Sequence, residues 1–277
     1  MTIDPEIEPQ YVFSDRFPSR RVVYAQIADD SVAARNMPPV LIDVPYGPHP
    51  RERIDLFPGR DGGPLLVFIH GGYWRSQHKD NYSFVSKAFR GQGFSVAVVG
   101  YPLTPEQSLS GVVQSLRHAM QWIHTAGREL LPNWRDSIVA GHSAGGHLAA
   151  MLASDPMPDM PITGCLALSG LFDLTPLART SIGAQVGLED ELISRMSPLA
   201  RPAGAGWLIA AVGANETAAF HDQASRYVQH WSAAGSDAEL LLVPDADHYS
   251  ILLQLADGDS PVLRRVRIQT GVREESL

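Results

Sequence analysis

A serine lies at a sharp turn in the middle of the chain, within the pattern Gly141-His-Ser143-Ala-Gly145. An apolar run at residues 138–140 precedes it and a helix-forming run at residues 146–153 follows it, so the pattern predicts a strand, a tight turn and a helix. Glycine at either side of the turn allows the strand and the helix to approach closely. Such a turn lifts the hydroxyl of Ser143 above the sheet edge, where the first N–H groups of the helix face whatever it attacks. We therefore predict that Ser143 is a nucleophile.

A serine hydroxyl is a weak nucleophile at neutral pH unless a base accepts its proton and a carboxylate orients that base. His248 is the best candidate base, because it follows the last predicted strand, lies in a polar loop and comes after Ser143 in the chain. The candidate acid is Glu216, the only carboxylate in the turn that follows the predicted strand at residues 207–212. Asp173, which follows the preceding strand, is the alternative, and the residues alone leave both carboxylates open.

Acyl transfer also needs hydrogen-bond donors at the place where negative charge develops on the carbonyl oxygen. The run His70-Gly-Gly-Tyr73 comes directly after an apolar strand at residues 65–69, and its glycines leave the backbone uncovered. We expect the backbone N–H groups of Gly72, Tyr73 and Ala144 to form this oxyanion hole.

Two aromatic residues, Trp74 and Tyr249, adjoin these motifs in the sequence. We expect both to line an aromatic substrate pocket, although core packing is as common a role for Tyr73 and Trp74. This chemistry requires no cofactor and no metal ion, and the sequence predicts neither.

Apolar runs typical of buried strands alternate along the chain with amphipathic stretches typical of helices. The alternation predicts one domain over residues 1–277, with a mostly parallel central sheet and helices on both faces. Together with the turn at Ser143, this arrangement is the α/β-hydrolase fold. Residues 1–38 form an N-terminal segment. Residues 170–205 break the alternation with three prolines, and we expect a small cap or lid insertion there.

The expected strands have a shared pattern of short apolar or alternating runs between turn residues. They cover residues 40–44, 51–57, 65–69, 94–99, 138–140, 162–168, 207–212 and 239–243. The first expected helix covers residues 20–36, where Val22, Val23, Ile27 and Val32 recur at helical spacing.

The chain has 277 residues, a formal net charge of −8 and no long basic run. These features argue against nucleic acid or an anionic membrane surface as a partner. The N-terminus lacks the basic and apolar regions of a signal peptide, and no apolar run approaches the length of a membrane span. We therefore expect a cytoplasmic protein with a small-molecule acyl substrate, and a homodimer is compatible with the sequence.

The chain resembles the kynurenine formamidase (arylformamidase) branch of the α/β-hydrolases, which is related to the hormone-sensitive-lipase-like esterases. The resemblance implies the triad Ser143, Glu216 and His248, and it favours Glu216 because the family places an acid after the penultimate strand. One departure is Ala218-Ala219, where family members often carry Pro-Glu. The matching stretches are Asp43-Val-Pro-Tyr-Gly47, Arg53-Ile-Asp-Leu-Phe57, His70-Gly-Gly-Tyr-Trp74, Gly141-His-Ser-Ala-Gly-Gly-His147, Ser169-Gly-Leu-Phe-Asp-Leu174, Ser197-Pro198, Val212-Gly-Ala-Asn-Glu216 and Asp245-Ala-Asp-His-Tyr249.

The resemblance implies a serine hydrolase that cleaves a small aryl formamide, such as N-formyl-kynurenine, through an acyl-enzyme. The first alternative is a general short-chain carboxylesterase. The second is a non-catalytic binding protein that keeps the α/β-hydrolase fold.

Overall fold

The computed structural model describes residues 3–13, 16–155, 157 and 159–272. The strands of this part of the chain are β1 (Leu41–Pro45), β2 (Arg53–Phe57), β3 (Gly63–Ile69), β4 (Ser95–Val99), β5 (Trp134–His142), β6 (Gly164–Leu168), β7 (Trp207–Gly213) and β8 (Ala238–Val243). They form one sheet in the order β1-β2-β4-β3-β5-β6-β7-β8.

The sheet is mostly parallel. Strand β2 pairs antiparallel with β1 and with β4, whereas the pairs from β4 to β8 along the sheet are all parallel. Every residue of β3, β4, β6 and β7 is buried, as expected for strands whose two faces are both covered. The predicted α/β-hydrolase fold, with its mostly parallel sheet, is confirmed.

Helices connect the strands. Within the described residues they are α1 (Glu8–Tyr11), α2 (Ser19–Arg35), α3 (Val85–Gly91), α4 (Leu109–His124), α5 (Ala144–Ala153), α6 (Ser181–Val186), α7 (Asp190–Met196), α8 (Ala218–Ala233) and α9 (Pro261–Thr270). Short 3₁₀ helices cover Lys79–Tyr82, Ala126–Leu130, Leu177–Arg179, Pro198–Ala200 and Ser250–Leu255. No helix of the described chain has both the length and the apolar character needed to cross a membrane.

Local sequence sets where several of these helices begin and end. The hydroxyl of Ser108 accepts a hydrogen bond from the N–H of Gly111 at the start of α4, and Ser260 caps the N–H of Leu263 at the start of α9 in the same way. Helix α9 ends at Gly271, which adopts the left-handed conformation with φ of 63°.

The first long helix lies close to its predicted position, but the predicted apolar face is only partly right. Val23 and Ile27 are buried, whereas Val22 and Val32 are 70% and 61% exposed. The buried stripe continues instead through small side chains, Ser31 and Ala34. Small residues at these positions allow α2 to pack against the turn at Lys79–Tyr82, where the Ser31 hydroxyl accepts a hydrogen bond from the N–H of Phe84.

A buried ion cluster ties α2 to the antiparallel edge of the sheet. The ammonium group of Lys79 is fully buried and lies 2.5 Å from Asp43, 2.6 Å from Asp55 and 2.8 Å from Asp80. Arg35, at the end of α2, pairs with the same three carboxylates. Burial by itself lowers the pKa of Lys79, but the charge of Asp55 and the three hydrogen bonds raise it above its ordinary value. We call this group the Lys79 cluster.

The Lys79 cluster predicts a large loss of stability for Lys79→Met. The substitution removes one of the two cations that compensate the fully buried carboxylate of Asp55, and losing a partner from a buried pair costs about 3 kcal/mol or more. Lys87→Met, at an exposed position of α3, should change the free energy of unfolding by less than about 0.5 kcal/mol. Urea denaturation of both variants measures the difference, and equal midpoints would contradict the stabilising role of the cluster.

Candidate active site

The turn that carries Ser143 is formed by three backbones in close contact. A side chain at Gly145 would place its Cβ 2.1 Å from the carbonyl oxygen of Ile69 at the end of β3. A Cβ at Gly141 would lie 2.2 Å from the carbonyl oxygen of Gly145. Only glycine fits at either position, which explains the spacing of the motif. Ser143 itself has φ of 56° and ψ of −119°, a conformation that non-glycine residues rarely adopt and that costs about 1–3 kcal/mol.

The strained turn brings the Ser143 hydroxyl to His248. The distance from Ser143 Oγ to His248 Nε2 is 3.1 Å, and His248 Nδ1 lies 2.8 Å from Glu216 Oε2. A carboxylate can only accept, so the Nδ1–H of His248 donates to Glu216 and leaves Nε2 free to accept from the hydroxyl. All three residues are buried. The structure therefore brings together the serine, histidine and glutamate that the sequence singles out.

The second oxygen of Glu216 has its own partners. Glu216 Oε1 accepts hydrogen bonds from the hydroxyl of Ser169 at 2.5 Å and from the backbone N–H of Gly213 at 2.8 Å. These bonds fix the carboxylate plane and favour its charged form. Ser169 was not among the predicted site residues. Its position directly after β6, next to the turn that carries Glu216, is the sequence signal that would have indicated it.

The alternative acid, Asp173, is engaged elsewhere. Its carboxylate accepts a hydrogen bond from the N–H of Thr175 at 3.0 Å and pairs with the guanidinium of Arg226 at 3.1 Å. Burial by itself raises the pKa of Asp173, but the bonds from Thr175 and the charge of Arg226 outweigh it and hold that pKa below its usual value. Among the described residues, His248 makes its carboxylate hydrogen bond to Glu216 and none to Asp173.

The loop after β3 provides candidate donors beside the serine. The φ angles of Gly72, Tyr73 and Trp74 are 106°, 51° and 59°, all in the left-handed half of conformational space. Within the described chain, no oxygen accepts a hydrogen bond from the N–H of Gly72 or Tyr73. The N–H of Ala144 belongs to the first turn of α5, where helical N–H groups have no partner in the helix itself. The predicted oxyanion hole thus has donors free to bind an anion.

The candidate nucleophile and base lie at one cavity of about 180 Å³. Ser143 and His248 line it together with Tyr73 and Tyr249. A larger cavity of about 330 Å³ lies next to the segments that precede β6 and β7. It is therefore near the N-terminal ends of these strands, whereas Ser143 follows the C-terminal end of β5.

Comparison with known proteins identifies the family. The BD-FAE family model matches residues 58–159. A kynurenine formamidase from Salmo salar is 30% identical over 245 residues, which cover 82% of this chain and 80% of that protein. The chain belongs to the kynurenine formamidase family. A kynurenine formamidase from Danio rerio is 29% identical over 91% of each chain.

Solved structures share the fold of this chain. A protein from Silicibacter sp. tm1040 that carries the provisional name thioesterase is 28% identical, with a TM-score of 0.81 over 94% of this chain and 98% of its own. The esterase LipW from Mycobacterium marinum shares the fold, with a TM-score of 0.71 at 18% identity over 97% of this chain and 94% of its own. The resemblance predicted from the motifs is confirmed, and the protein is a serine hydrolase of the formamidase and esterase type.

In this member of the kynurenine formamidase family, one of the two predicted pocket residues lies away from the cavity. Trp74 is fully buried and does not line the cavity, which corrects the expectation that it contacts substrate. Its indole N–H donates a hydrogen bond of 3.1 Å to Nδ1 of His147 on α5. Burying a whole indole ring with its polar atom satisfied is favourable, so Trp74 packs in the core beneath the loop. Tyr249 lies at the cavity as predicted.

The N-terminal segment supplies a wall of the cavity that the sequence analysis did not identify. Val12, Phe13, Arg20 and Tyr24 line the cavity, whereas residues 170–205 contribute only Ile182 within the described part of the chain. The ring of Phe13 packs 4.9 Å from the ring of His248, centroid to centroid. The aromatic residues near the N-terminus were the available signal, but their partners are more than 200 positions away along the chain.

The carboxylates of Asp43, Asp55 and Asp80 lie close enough together, within 4.8 Å, to resemble a metal site. The Lys79 ammonium group, however, already donates to all three. Protein cations therefore take the place that a metal ion would need, and we interpret this group as a structural ion cluster.

Proposed function

We propose that this protein hydrolyses N-aryl formamides of the N-formylkynurenine type, with Ser143 as nucleophile, His248 as base and Glu216 as the acid that orients it. The observation that carries the proposal is the buried row of hydrogen bonds from Ser143 through His248 to Glu216. Membership of the kynurenine formamidase family supports the choice of a formamide.

The first half of the reaction forms a formyl-enzyme. Ser143 Oγ attacks the formyl carbon while its proton passes to Nε2 of His248. Glu216 stabilises the imidazolium that results, and the N–H groups of Gly72, Tyr73 and Ala144 bind the oxyanion. The imidazolium then gives its proton to the nitrogen of the leaving arylamine as the C–N bond breaks.

Water completes the cycle. It attacks the formyl ester of Ser143 while His248 accepts its proton. The imidazolium then returns this proton to Ser143 Oγ as the ester bond breaks, which releases formate and regenerates the free serine and the neutral base. Phe13 and Phe220 pack against the ring of His248 at centroid distances of 4.9 and 4.7 Å. Such apolar walls limit the water around the base, which strengthens its electrostatic interaction with Glu216.

Short-chain ester hydrolysis is the second candidate, because the same three side chains would attack an ester carbonyl. If this second candidate is right, the protein should cleave p-nitrophenyl acetate and leave N-formylkynurenine intact. A non-catalytic binding protein is disfavoured by the free Nε2 of His248 facing the serine hydroxyl.

We also propose that residues 170–205 act as a cap or lid, because Ile182 from this segment lines the cavity.

Two exposed arginines suggest how the site binds the amino-acid part of such a substrate. Arg20 and Arg75 line the cavity, and neither forms an ion pair with a carboxylate of the described chain. The guanidinium of Arg20 lies 5.9 Å from the ring centroid of Tyr24 and 5.6 Å from that of Tyr249. In a chain of net charge −8, unpaired cations at the cavity favour a substrate that carries a carboxylate, as N-formylkynurenine does.

Substitutions in the proposed triad test the function. On N-formylkynurenine, Ser143→Ala should lower kcat by about 10⁴-fold or more, because the nucleophile is lost. Glu216→Gln should lower it by about 10²- to 10⁴-fold, because the amide favours the wrong imidazole tautomer. Asp173→Asn is the matched control and should stay within about threefold.

Release of kynurenine, followed by absorbance, gives these rates, and circular dichroism checks that each variant is folded. Near-normal activity in Ser143→Ala would require another nucleophile. A larger loss in Asp173→Asn than in Glu216→Gln would assign the acid to Asp173.

Replacing the unpaired arginines tests the carboxylate contact. Arg20→Gln combined with Arg75→Gln should raise KM for N-formylkynurenine about tenfold, because each exposed charge contributes roughly 0.5–1 kcal/mol. KM for formanilide, which has no carboxylate, should stay within about twofold. Arg16→Gln is the control, because Arg16 is exposed nearby but does not line the cavity. Equal changes for both substrates would exclude a contact with the carboxylate.

A further inference from the structure

His142 stands directly before the nucleophile, and the proposed reaction assigns it no role. Its side chain is buried at the end of β5 and lines the same cavity as Ser143. Its ring centroid lies 4.8 Å from that of His248. A buried histidine so close to the base requires a physical explanation, because desolvating an imidazole is costly unless its polar atoms are used.

The contacts of His142 define its tautomer. Nε2 lies 2.6 Å from the backbone carbonyl oxygen of His248. A carbonyl only accepts, so Nε2 carries the proton and donates it, and Nδ1 is left as a bare acceptor. Burial lowers the pKa of His142 well below its ordinary value, and the nearby charge of His248 lowers it further. The ring therefore stays neutral when His248 takes up a proton, and it adds no charge that would oppose the imidazolium.

The hydrogen bond to the carbonyl of His248 forms a short link between nucleophile and base. Ser143 and His142 are adjacent in the chain, so the ring of His142 connects the strained turn to the loop that carries His248. The side chain of His248 is held at its other end by Glu216. With the backbone and the imidazole both anchored, the approach of Nε2 to Ser143 Oγ is fixed from two sides.

The same ring lies beside the loop with the proposed oxyanion donors. A Cβ built on Gly71 would lie 3.4 Å from Nδ1 of His142 and 3.4 Å from Cβ of Ser143. Nδ1 has no hydrogen-bond partner in the described chain. The contacts of Nε2, by contrast, are with the loop that carries the base.

We propose that His142 is a positioning residue, whose neutral ring and Nε2–H hold the loop of His248 in line with Ser143. The inference rests on the proposed function of Ser143 and His248, but not on the choice of a formamide as substrate. A displacement of the base by about 1 Å lowers the rate by about 10²-fold, whereas substrate binding through other parts of the cavity is little affected.

Two variants separate the hydrogen bond from the volume of the ring. His142→Phe keeps a ring but cannot donate to the carbonyl. His142→Gln places an amide N–H at nearly the same reach. We expect His142→Phe to lower kcat about 10- to 100-fold with KM within about threefold, and His142→Gln to stay within about threefold in both. His142→Asn, whose amide is too short to reach the carbonyl, should behave like His142→Phe and replaces it if the Phe variant does not fold.

The rate of labelling by a fluorophosphonate is the second measurement, because it reports activation of Ser143 without reference to the substrate. It should fall in His142→Phe as kcat does and recover in His142→Gln, with both variants folded by circular dichroism. His147→Gln, which replaces a buried histidine bonded to Met196 and Trp74 rather than to the base, is the structural control.

Unchanged labelling in His142→Phe, or an equal loss in His142→Gln, would overturn the positioning role. If wild-type protein reacts with the fluorophosphonate but leaves aryl formamides intact, the proposed substrate is wrong, and the comparison of His142 variants still applies.

Discussion

The close approach of three backbones at the nucleophile turn is the constraint on which the site depends. Because residues 141 and 145 are glycines, the start of α5 packs directly against the ends of β3 and β5. A Cβ at either position would collide with a backbone carbonyl oxygen there. Ser143 must then adopt a left-handed conformation. The surrounding sheet compensates this strain, since the N–H of Ser143 donates 2.8 Å to the carbonyl of Leu168 in the neighbouring strand β6. The loop after β3 begins at the same contact, so the candidate oxyanion donors are positioned by it too.

Around this turn, burial lowers the pKa of three histidines and so favours their neutral form. Burial holds the pKa of His147 at about 4 and that of His70 at about 3, and it depresses that of His142 as well. His248 differs from these three in facing a carboxylate, Glu216, on one side and the serine hydroxyl on the other. The proposed proton transfer therefore involves His248, whereas the other three histidines serve as neutral hydrogen-bonding groups.

The sequence predicted those features that depend on chain order and on neighbours in the chain. The strand, turn and helix around Ser143 and the loop position of His248 follow from local apolar patterns and from the parallel topology that brings strand ends together. The expectation that Trp74 lines the cavity is wrong, because its buried ring bonds to His147 on α5, and no local sequence pattern reports that contact. The wall formed by Phe13 and Arg20 was missed because it depends on packing between chain segments far apart in sequence. The hydrogen bond of His142 to the His248 carbonyl was missed for the same reason.

The central claim is that Ser143 is the activated nucleophile of an aryl formamidase. Its most direct test is to label the protein with a fluorophosphonate in the presence and absence of N-formylkynurenine, digest it and locate the adduct by mass spectrometry. The account predicts a single adduct on Ser143, formed more slowly when N-formylkynurenine occupies the site. An adduct on another residue, no adduct, or labelling that N-formylkynurenine does not slow would contradict it.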